Sequence, residues 1–288
     1  MPTMRAAATE NLPNLIIIGA MKCATTSLHY WLNLHPEISM SREKELNFFV
    51  SEINWKKGIA WYKSHFRQKR RIRGESSHNY TYYPFFGGVP ERMHSVVPEA
   101  KLIYILRDPI DRIVSHYIQN YSDGREDRTI EESLKDSHGR NRYGIRSKYF
   151  IQLQQYLNYF PDSNILILTL ENLCRHPRKT LGSVFRFLGV DDTFYSPKFS
   201  TIKHKSSEKR RKNRVGMLLK KMSESRIAKV CTADVRRSIG RALYLPFSHP
   251  IQRPILDEGL KAEMIDYLKE DIRSLRQYTG CNFEDWCV

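Results

Sequence analysis

The sequence predicts an α/β fold: a three-layer sandwich with a central, mainly parallel sheet and a P-loop-like anion-binding loop after the first strand. Three observations carry this. Short continuous apolar runs at residues 15–18, 101–106 and 164–170 read as strands buried on both faces, not as one-sided alternating strands. Each is followed by a helical pattern, and strand–helix alternation at this spacing builds a layered sheet. Between the first run and its helix, "GAMKCATTSL" (residues 19–28) has one glycine, a lysine and a row of hydroxyl side chains where the chain turns. That layout aims backbone N–H groups and a helix dipole at an anion.

The elements follow in order. The strand at 15–18 leads through the loop to a helix from about residue 25 to 34, which ends at "HPE". "WKKGIAWYKSHF" (55–66) has amphipathic helical spacing. After the strand at 101–106, Asp108 reads as an N-cap and Pro109 as the first helical residue, a structural role that needs no function. Residues 121–144 carry many charges with Gly124, Gly139 and Gly144, and read as a long exposed excursion. A helix over 146–160 ends at "YFPD", and the strand at 164–170 runs into a further helix that ends at "FLG". Residues 198–214 read as a basic, almost core-free loop, and the last helix spans 256–278 and stops at Gly280. With no repeat and no Gly/Ser/Pro-rich linker, one domain over 1–288 with a tail at 1–12 is the simplest organisation.

Hydrophobic residues make up 41% of the 288 and charged residues 27%, an ordinary globular balance. The net charge of +16 is not ordinary. It predicts an anionic partner (nucleic acid, acidic glycan, membrane surface or polyphosphorylated cofactor), with a solvated basic face as the alternative. The five cysteines, Cys23, Cys174, Cys231, Cys281 and Cys287, form no C-x-x-C pair, and no histidine stands at zinc-ligand spacing. A reduced protein without metal is expected, with a Cys281–Cys287 pair as the minor alternative. The first fourteen residues lack a signal-peptide core, and no run approaches the ~18 apolar residues of a membrane span. The expectation is a cytoplasmic protein without a membrane partner.

A Walker loop, G-x-x-x-x-G-K-[ST], would need a second glycine and a lysine just before the helix. Here Gly19 stands alone and Lys22 is in mid-loop. The anion-binding physics survives: Thr25, Thr26 and Ser27 add hydroxyl donors and Lys22 adds charge, an N-capped turn being the structural alternative. Arg107 projects from the carboxyl end of the second strand, where open α/β sheets bind ligands. Ser115 lies two turns along the next helix on the Asp108 face. An Arg fork beside a hydroxyl suits a terminal phosphate, and a surface salt bridge is the other reading.

Taken together, "GAMKCATTSL", "EKELNFF" (43–49) and "RDPIDRIVSHY" (107–117) resemble the sulfotransferases that use 3′-phosphoadenosine 5′-phosphosulfate (PAPS), nearest to the heparan sulfate N- and 3-O-sulfotransferase type and its bacterial relatives. Further fragments match in the same order almost end to end, closing with "YTGCNFEDW". The resemblance implies a PAPS-dependent sulfotransferase releasing the bisphosphate PAP and needing no metal. It implies that backbone amides of Cys23, Ala24 and Thr25, with the side chains of Lys22, Thr26 and Ser27, hold the 5′-phosphosulfate. Arg107 and Ser115 would hold the 3′-phosphate, Tyr149 would shape the nucleotide site, and Lys209, Arg210 and Arg211 of "SSEKRRK" would cover it. Lys22 would stabilise the leaving phosphate. Glu45, three residues before the Phe48–Phe49 pair, would be the general base, its pKa lifted by those rings and pulled back by Lys22, with Glu43 as the local rival.

Two departures stand out. Many relatives read E-K-T-P-S-Y where this chain reads "ESSHNY" (75–80), so Ser76 replaces a lysine implied to assist at the sulfuryl group. His78 is the candidate substitute, against a capping or packing role. Ala24 replaces a more usual glycine, which the loop accepts where φ is negative. The expected acceptor is a hydroxyl or amine of a small molecule of secondary metabolism, with a glycan or sugar-bearing acceptor as the alternative. An ATP-dependent phosphotransferase is disfavoured by the absent Walker pattern. A basic nucleic-acid-binding protein would explain the charge, but not the loop, Glu45 or Arg107.

Overall fold

A computed structural model gives the fold and describes residues 11–66, 68, 70–135, 140–200, 208–213, 215–218 and 245–288. Cys231 and residues 201–207 and 214 of the basic segment lie outside the described residues. The chain divides into two compact units, one of Met1–Arg112, Gly144–Lys203 and Ala262–Val288, the other of Ile113–Tyr143 and His204–Lys261.

The first unit holds a five-stranded parallel sheet of β1 (Leu15–Gly19), β2 (Ile38–Met40), β3 (Ile72–Ser76), β4 (Lys101–Leu106) and β5 (Ile165–Thr169), in the order β2-β3-β1-β4-β5. β1 is buried at all five positions, and only Lys101 of β4 reaches partial exposure. This is why the two central strands read as unbroken apolar runs. β5, at the edge, is half-exposed over its first three residues. Leu15 pairs with Gly74 on one side and Lys101 on the other. The chain leaves β1 toward β2 and leaves β4 toward β5, so the crossovers diverge between β1 and β4. The carboxyl ends of those strands therefore flank the crevice where such sheets bind ligands.

The first-unit helices are α1 (Thr25–Leu32), α2 (Gly58–Lys63) after a 3-10 turn, and α3 (Val89–Val96). α4 (Pro109–Ser122) opens as expected, with Asp108 Oδ1 accepting the Asp111 N–H at 2.8 Å. α5 (Ile130–Lys135) belongs to the second unit, and α6 (Tyr149–Leu157), α7 (Leu170–Arg175) and α8 (Pro177–Leu188) to the first. α9 (Glu258–Thr279) ends where Gly280 takes φ +66° and returns its N–H to the Arg276 carbonyl, the left-handed stop that glycine favours.

One expectation is corrected. The described residues of the 121–144 stretch are not simply an exposed excursion: Ser122, Glu126, Ile130, Ser133, Leu134 and Tyr143 are buried. Of its charges, Glu126 turns inward. Burial works against the Glu126 carboxylate, but hydrogen bonds from Arg128 and Tyr143 overcome it and hold its pKa at about 2. At the start of the 198–214 stretch Phe199 is buried and packs against Trp31, Phe185 and Phe194. In the second unit β6 (Arg210–Lys212) pairs antiparallel with β7 (Ser248–Pro250).

β3, "IRGES", has no apolar run and was not legible as a strand, yet four of its five residues are buried. β2 is three residues long. At the end of β1 the sheet needs glycine for close approach: a Cβ at Gly19 would stand 2.2 Å from Thr81 Oγ1 and 3.1 Å from the Tyr104 ring. Thr81 is held there by its hydrogen bond to the Ile18 carbonyl at 3.2 Å. Gly19→Ala should therefore cost about 1–3 kcal/mol through overpacking, read as a lower urea midpoint with an unchanged m-value.

Candidate active site

The loop after β1 stays pinned to the sheet, with the Ala20 N–H donating to the Ile105 carbonyl at 2.7 Å. Lys22 (φ +72°) and Ala24 (φ +64°, ψ +23°) both adopt the left-handed region. The negative φ expected at Ala24 is thus corrected: alanine here occupies the conformation a glycine would take without cost. The geometry turns the chain abruptly into α1, whose N-cap is Ala24 itself. No side chain caps that terminus, which removes the ordinary N-capped-turn reading. Its first N–H groups thus face the loop with a helix dipole behind them. Thr25 and Ser27 are buried, while Lys22, Ala24 and Thr26 are half-buried.

Beneath the loop, Cys23 is fully buried with its thiol pushed up to about 12 by burial, so the loop's cysteine stays a neutral packing group. Its Sγ lies 3.9 Å from the Tyr149 hydroxyl, which donates to the Arg107 carbonyl at 2.7 Å. Tyr149 is wholly buried and acts from below, tying the loop to the end of β4. Ser147 accepts from Arg112 Nε at 2.5 Å and donates to the Pro109 carbonyl at 3.0 Å. The Arg107 guanidinium pairs with Asp111 at 2.7 Å, one turn along α4. Burial pulls its pKa down, but the Asp111 carboxylate more than offsets this and the net shift is upward.

Glu45 arrives on the segment between β2 and α2. Its backbone N–H donates to the Ser76 carbonyl at 2.9 Å, and it takes φ +59°. The carboxylate is about one-third exposed; Oε2 accepts the His78 N–H at 2.9 Å and stands 3.3 Å from His78 Nδ1. Oε1 lies 3.4 Å from Lys44 Nζ. The surroundings expected for Glu45 are therefore corrected. Phe48 and Phe49 pack into a buried cluster with Trp55, Tyr62 and Tyr80 instead, Phe48 stacking on Tyr62 at 4.2 Å. The cation beside Glu45 is Lys44. The rival Glu43 is largely exposed and faces His65 at 3.7 Å.

Two residues that sequence reasoning passed over hold this arrangement. Lys44 donates to Thr26 Oγ1 at 2.8 Å and Thr25 Oγ1 at 3.3 Å, joining the loop to the Glu45 segment. Glu75 is fully buried on β3; Tyr62 and Tyr80 donate to its Oε1, each at 2.7 Å, and Ser77 to its Oε2 at 2.8 Å. The Ser77 and Tyr80 oxygens in turn accept the backbone N–H groups of Asn47 and Phe48. The signal for Glu75 was present: a Glu among strand residues with tyrosines on either side, readable only once those tyrosines are known to converge.

Ser115, Lys209, Arg210 and Arg211 fall in the second unit, which stands by itself. Ser115 is buried. Arg210 donates to the Ser248 hydroxyl at 2.9 Å and carbonyl at 2.6 Å. Arg211 pairs with Asp127, donates to the Glu126 carbonyl at 2.9 Å and covers the Tyr121 ring at 4.4 Å. No cluster of three metal-ligating side chains occurs among the described residues. Cys281 and Cys287 are exposed and not joined in a disulfide. No helix among the described residues is long and apolar enough to cross a membrane.

The left-handed Ala24 generates one stability prediction. A non-glycine residue there costs about 1–2 kcal/mol, while glycine returns part of that as extra freedom of the unfolded chain. Ala24→Gly should raise stability by about 0.5–1 kcal/mol, seen as a higher urea midpoint. A lower midpoint would contradict the left-handed assignment.

Comparison with known proteins completes the description. Residues 12–240 match the family model described as the sulfotransferase domain. A bifunctional heparan sulfate N-deacetylase/N-sulfotransferase 2 of Homo sapiens is 29% identical over 202 residues, covering 63% of this chain and 22% of that protein. A heparan sulfate glucosamine 3-O-sulfotransferase 5 of Mus musculus is 32% identical over 193 residues, covering 63% of this chain and 54% of that protein. The chain thus spans about a fifth to about a half of the length of these relatives. The crystal structure of a sulfotransferase from Alicyclobacillus acidocaldarius superposes with a TM-score of 0.59 at 27% identity, over 81% of this chain and 96% of that one. From the uncapped loop after β1 to the family match over residues 12–240, the observations converge: the chain belongs to the sulfotransferase domain family.

Proposed function

We propose that the protein transfers a sulfuryl group from PAPS to a hydroxyl or amine, using the crevice at the carboxyl ends of β1 and β4. One observation carries the reading: Lys44 brings the Glu45 carboxylate to the mouth of an uncapped helix N-terminus, 3.4 Å from an ammonium that also donates to Thr26. A partly exposed carboxylate at the edge of that anion site is placed to take a proton from an acceptor brought up to the bound anion.

When bound, PAPS supplies the activated sulfuryl group and a leaving phosphate. The backbone N–H groups of Ala24 and Thr25, with Lys22, bind that phosphate and stabilise its growing charge, a pre-organised electrostatic contribution. Thr26 orients the same end through its hydroxyl. Arg107, aimed by its Asp111 pair, binds the 3′-phosphate through its fork. Glu45 takes the acceptor proton, while the His78 N–H fixes the orientation of its Oε2. His78 is then a positioning residue, a narrower role than replacement of the cation lost at Ser76.

The acceptor proposed first is a small molecule bearing the hydroxyl or amine. A sugar-bearing acceptor is the second reading, favoured by relatives whose names specify heparan sulfate. Exposed Tyr83 and Phe85, with Tyr82 stacked on Phe85 at 4.6 Å, offer ring faces that suit either kind.

In a thermal-shift comparison, 3′,5′-bisphosphoadenosine should stabilise the protein by about 2.7 kcal/mol at a hundred times its Kd, with AMP and ATP giving little. A preference for ATP with Mg²⁺ would overturn the reading. Glu45→Gln should lower turnover about 10²–10⁴-fold, measured as PAP released from PAPS with a panel of phenol and amino-sugar acceptors, and leave bisphosphoadenosine affinity unchanged. Arg107→Ala should weaken that affinity about 10–100-fold by calorimetry, as loss of a charged hydrogen-bonding partner predicts.

A further inference from the structure

Lys44 belongs to no helix or strand, yet its side chain is only 19% exposed. An ammonium is costly to strip of water, and burial pulls its pKa down, with Glu45 restoring part of the loss. A lysine serving only solubility would stay in water. This one is spent on two hydroxyls of the donor loop and one carboxylate: Thr26 at 2.8 Å, Thr25 at 3.3 Å and Glu45 at 3.4 Å.

His29, beside Lys44, adds no charge there. His29 is buried between Ser76 Oγ at 2.8 Å and the Ser41 carbonyl at 3.1 Å. Burial and the nearby Lys44 charge push its pKa down to about 3, so the ring is neutral at physiological pH. With Nε2 donating to the carbonyl, Nδ1 accepts the Ser76 hydroxyl proton. Ser76 therefore has that proton committed to His29, and Lys44 brings an ammonium to this edge of the crevice.

In-line transfer places the reacting group between the loop that holds the leaving phosphate and the base that takes the acceptor proton. Lys44 spans those two sites. The oxygens of a transferring sulfonate carry negative charge and would otherwise meet the Glu45 carboxylate directly. We propose that Lys44 is a further catalytic residue, a cation that contacts the sulfonate oxygens between the donor loop and Glu45; the inference rests on the PAPS reading above. During transfer a new bond forms from acceptor oxygen or nitrogen to sulfur. The bond from sulfur to the bridging phosphate oxygen breaks, its electron pair staying on the phosphate. The acceptor proton passes to Glu45, and Lys44 keeps its protons throughout.

The test is Lys44→Met in the full chain, titrated calorimetrically with PAPS and, separately, with 3′,5′-bisphosphoadenosine, in the absence of acceptor. The variant should bind PAPS at least about ten-fold more weakly than the parent, with bisphosphoadenosine affinity held within about three-fold. Equal weakening for both ligands would assign Lys44 to the phosphates and overturn the proposal. No change for either would make it a structural clamp and overturn it as well. If the parent protein binds neither nucleotide, the PAPS reading itself has failed, a result visible before any variant is compared. Should Lys44→Met not fold, Lys44→Gln carries the same comparison, with the same outcomes.

Discussion

Glu75 has no exposure to solvent, and its two oxygens collect three hydroxyl donors, from Tyr62, Tyr80 and Ser77. Burial pushes its pKa up while those donors pull against it. The tyrosine hydroxyls are held far above their usual pKa, first by burial and then by the Glu75 charge, so they remain protonated donors. A buried carboxyl is tolerable only with its hydrogen bonds complete, because each unmade one leaves a stranded polar group. That requirement reaches the site. Ser77 and Tyr80 cannot serve Glu75 without being placed where they also accept the Asn47 and Phe48 N–H groups. The segment carrying Lys44 and Glu45 is fixed from behind by a network that itself touches no candidate ligand group.

The same segment is fixed from in front. Phe48 and Phe49 insert into the cluster with Trp55, Tyr62 and Tyr80, and Glu45 and Asn47 take positive φ on either side of Leu46. Left-handed residues other than glycine are strained, so this backbone persists because the aromatic anchors and the Glu75 network over-determine it. Lys22 and Ala24 repeat the pattern across the crevice, where the anchors are Tyr149, the Ile105 carbonyl and the close packing of Thr81 against Gly19. Strain gathers on the two segments proposed to meet the donor, and the rigid parallel sheet between them supports it.

Polar burial of this kind also takes in cations, so the +16 is not a uniform coat. Arg107 is turned to Asp111, Arg112 lies wholly buried with Nε on Ser147, and Arg146 lies 3.4 Å over the Tyr82 ring. In the second unit Arg128 and Arg211 are bound to Glu126 and Asp127. The paired arginines are already cancelled in the net charge; Arg112 and Arg146 are cations of the excess that lie buried.

The sequence by itself determined β1, β4 and β5, the helices that follow them, the Asp108 cap, the Gly280 stop and the family. All of these are written in contiguous signals: apolar runs, capping residues and short motifs whose meaning depends on near neighbours. It also singled out Glu45 and Arg107, because each sits in such a motif. Only the tertiary structure decided that "IRGES" is a buried strand, that Glu75 is the hub behind the Glu45 segment, that Lys44 bridges Thr26 to Glu45, and that Ala24 is left-handed. Those outcomes depend on residues as distant in the chain as 44 and 26, or 62, 75 and 80, whose polar groups become complementary only when folding removes water from between them. Hydrophobic burial leaves a local pattern along a strand or helix; a buried polar network leaves none until its members meet.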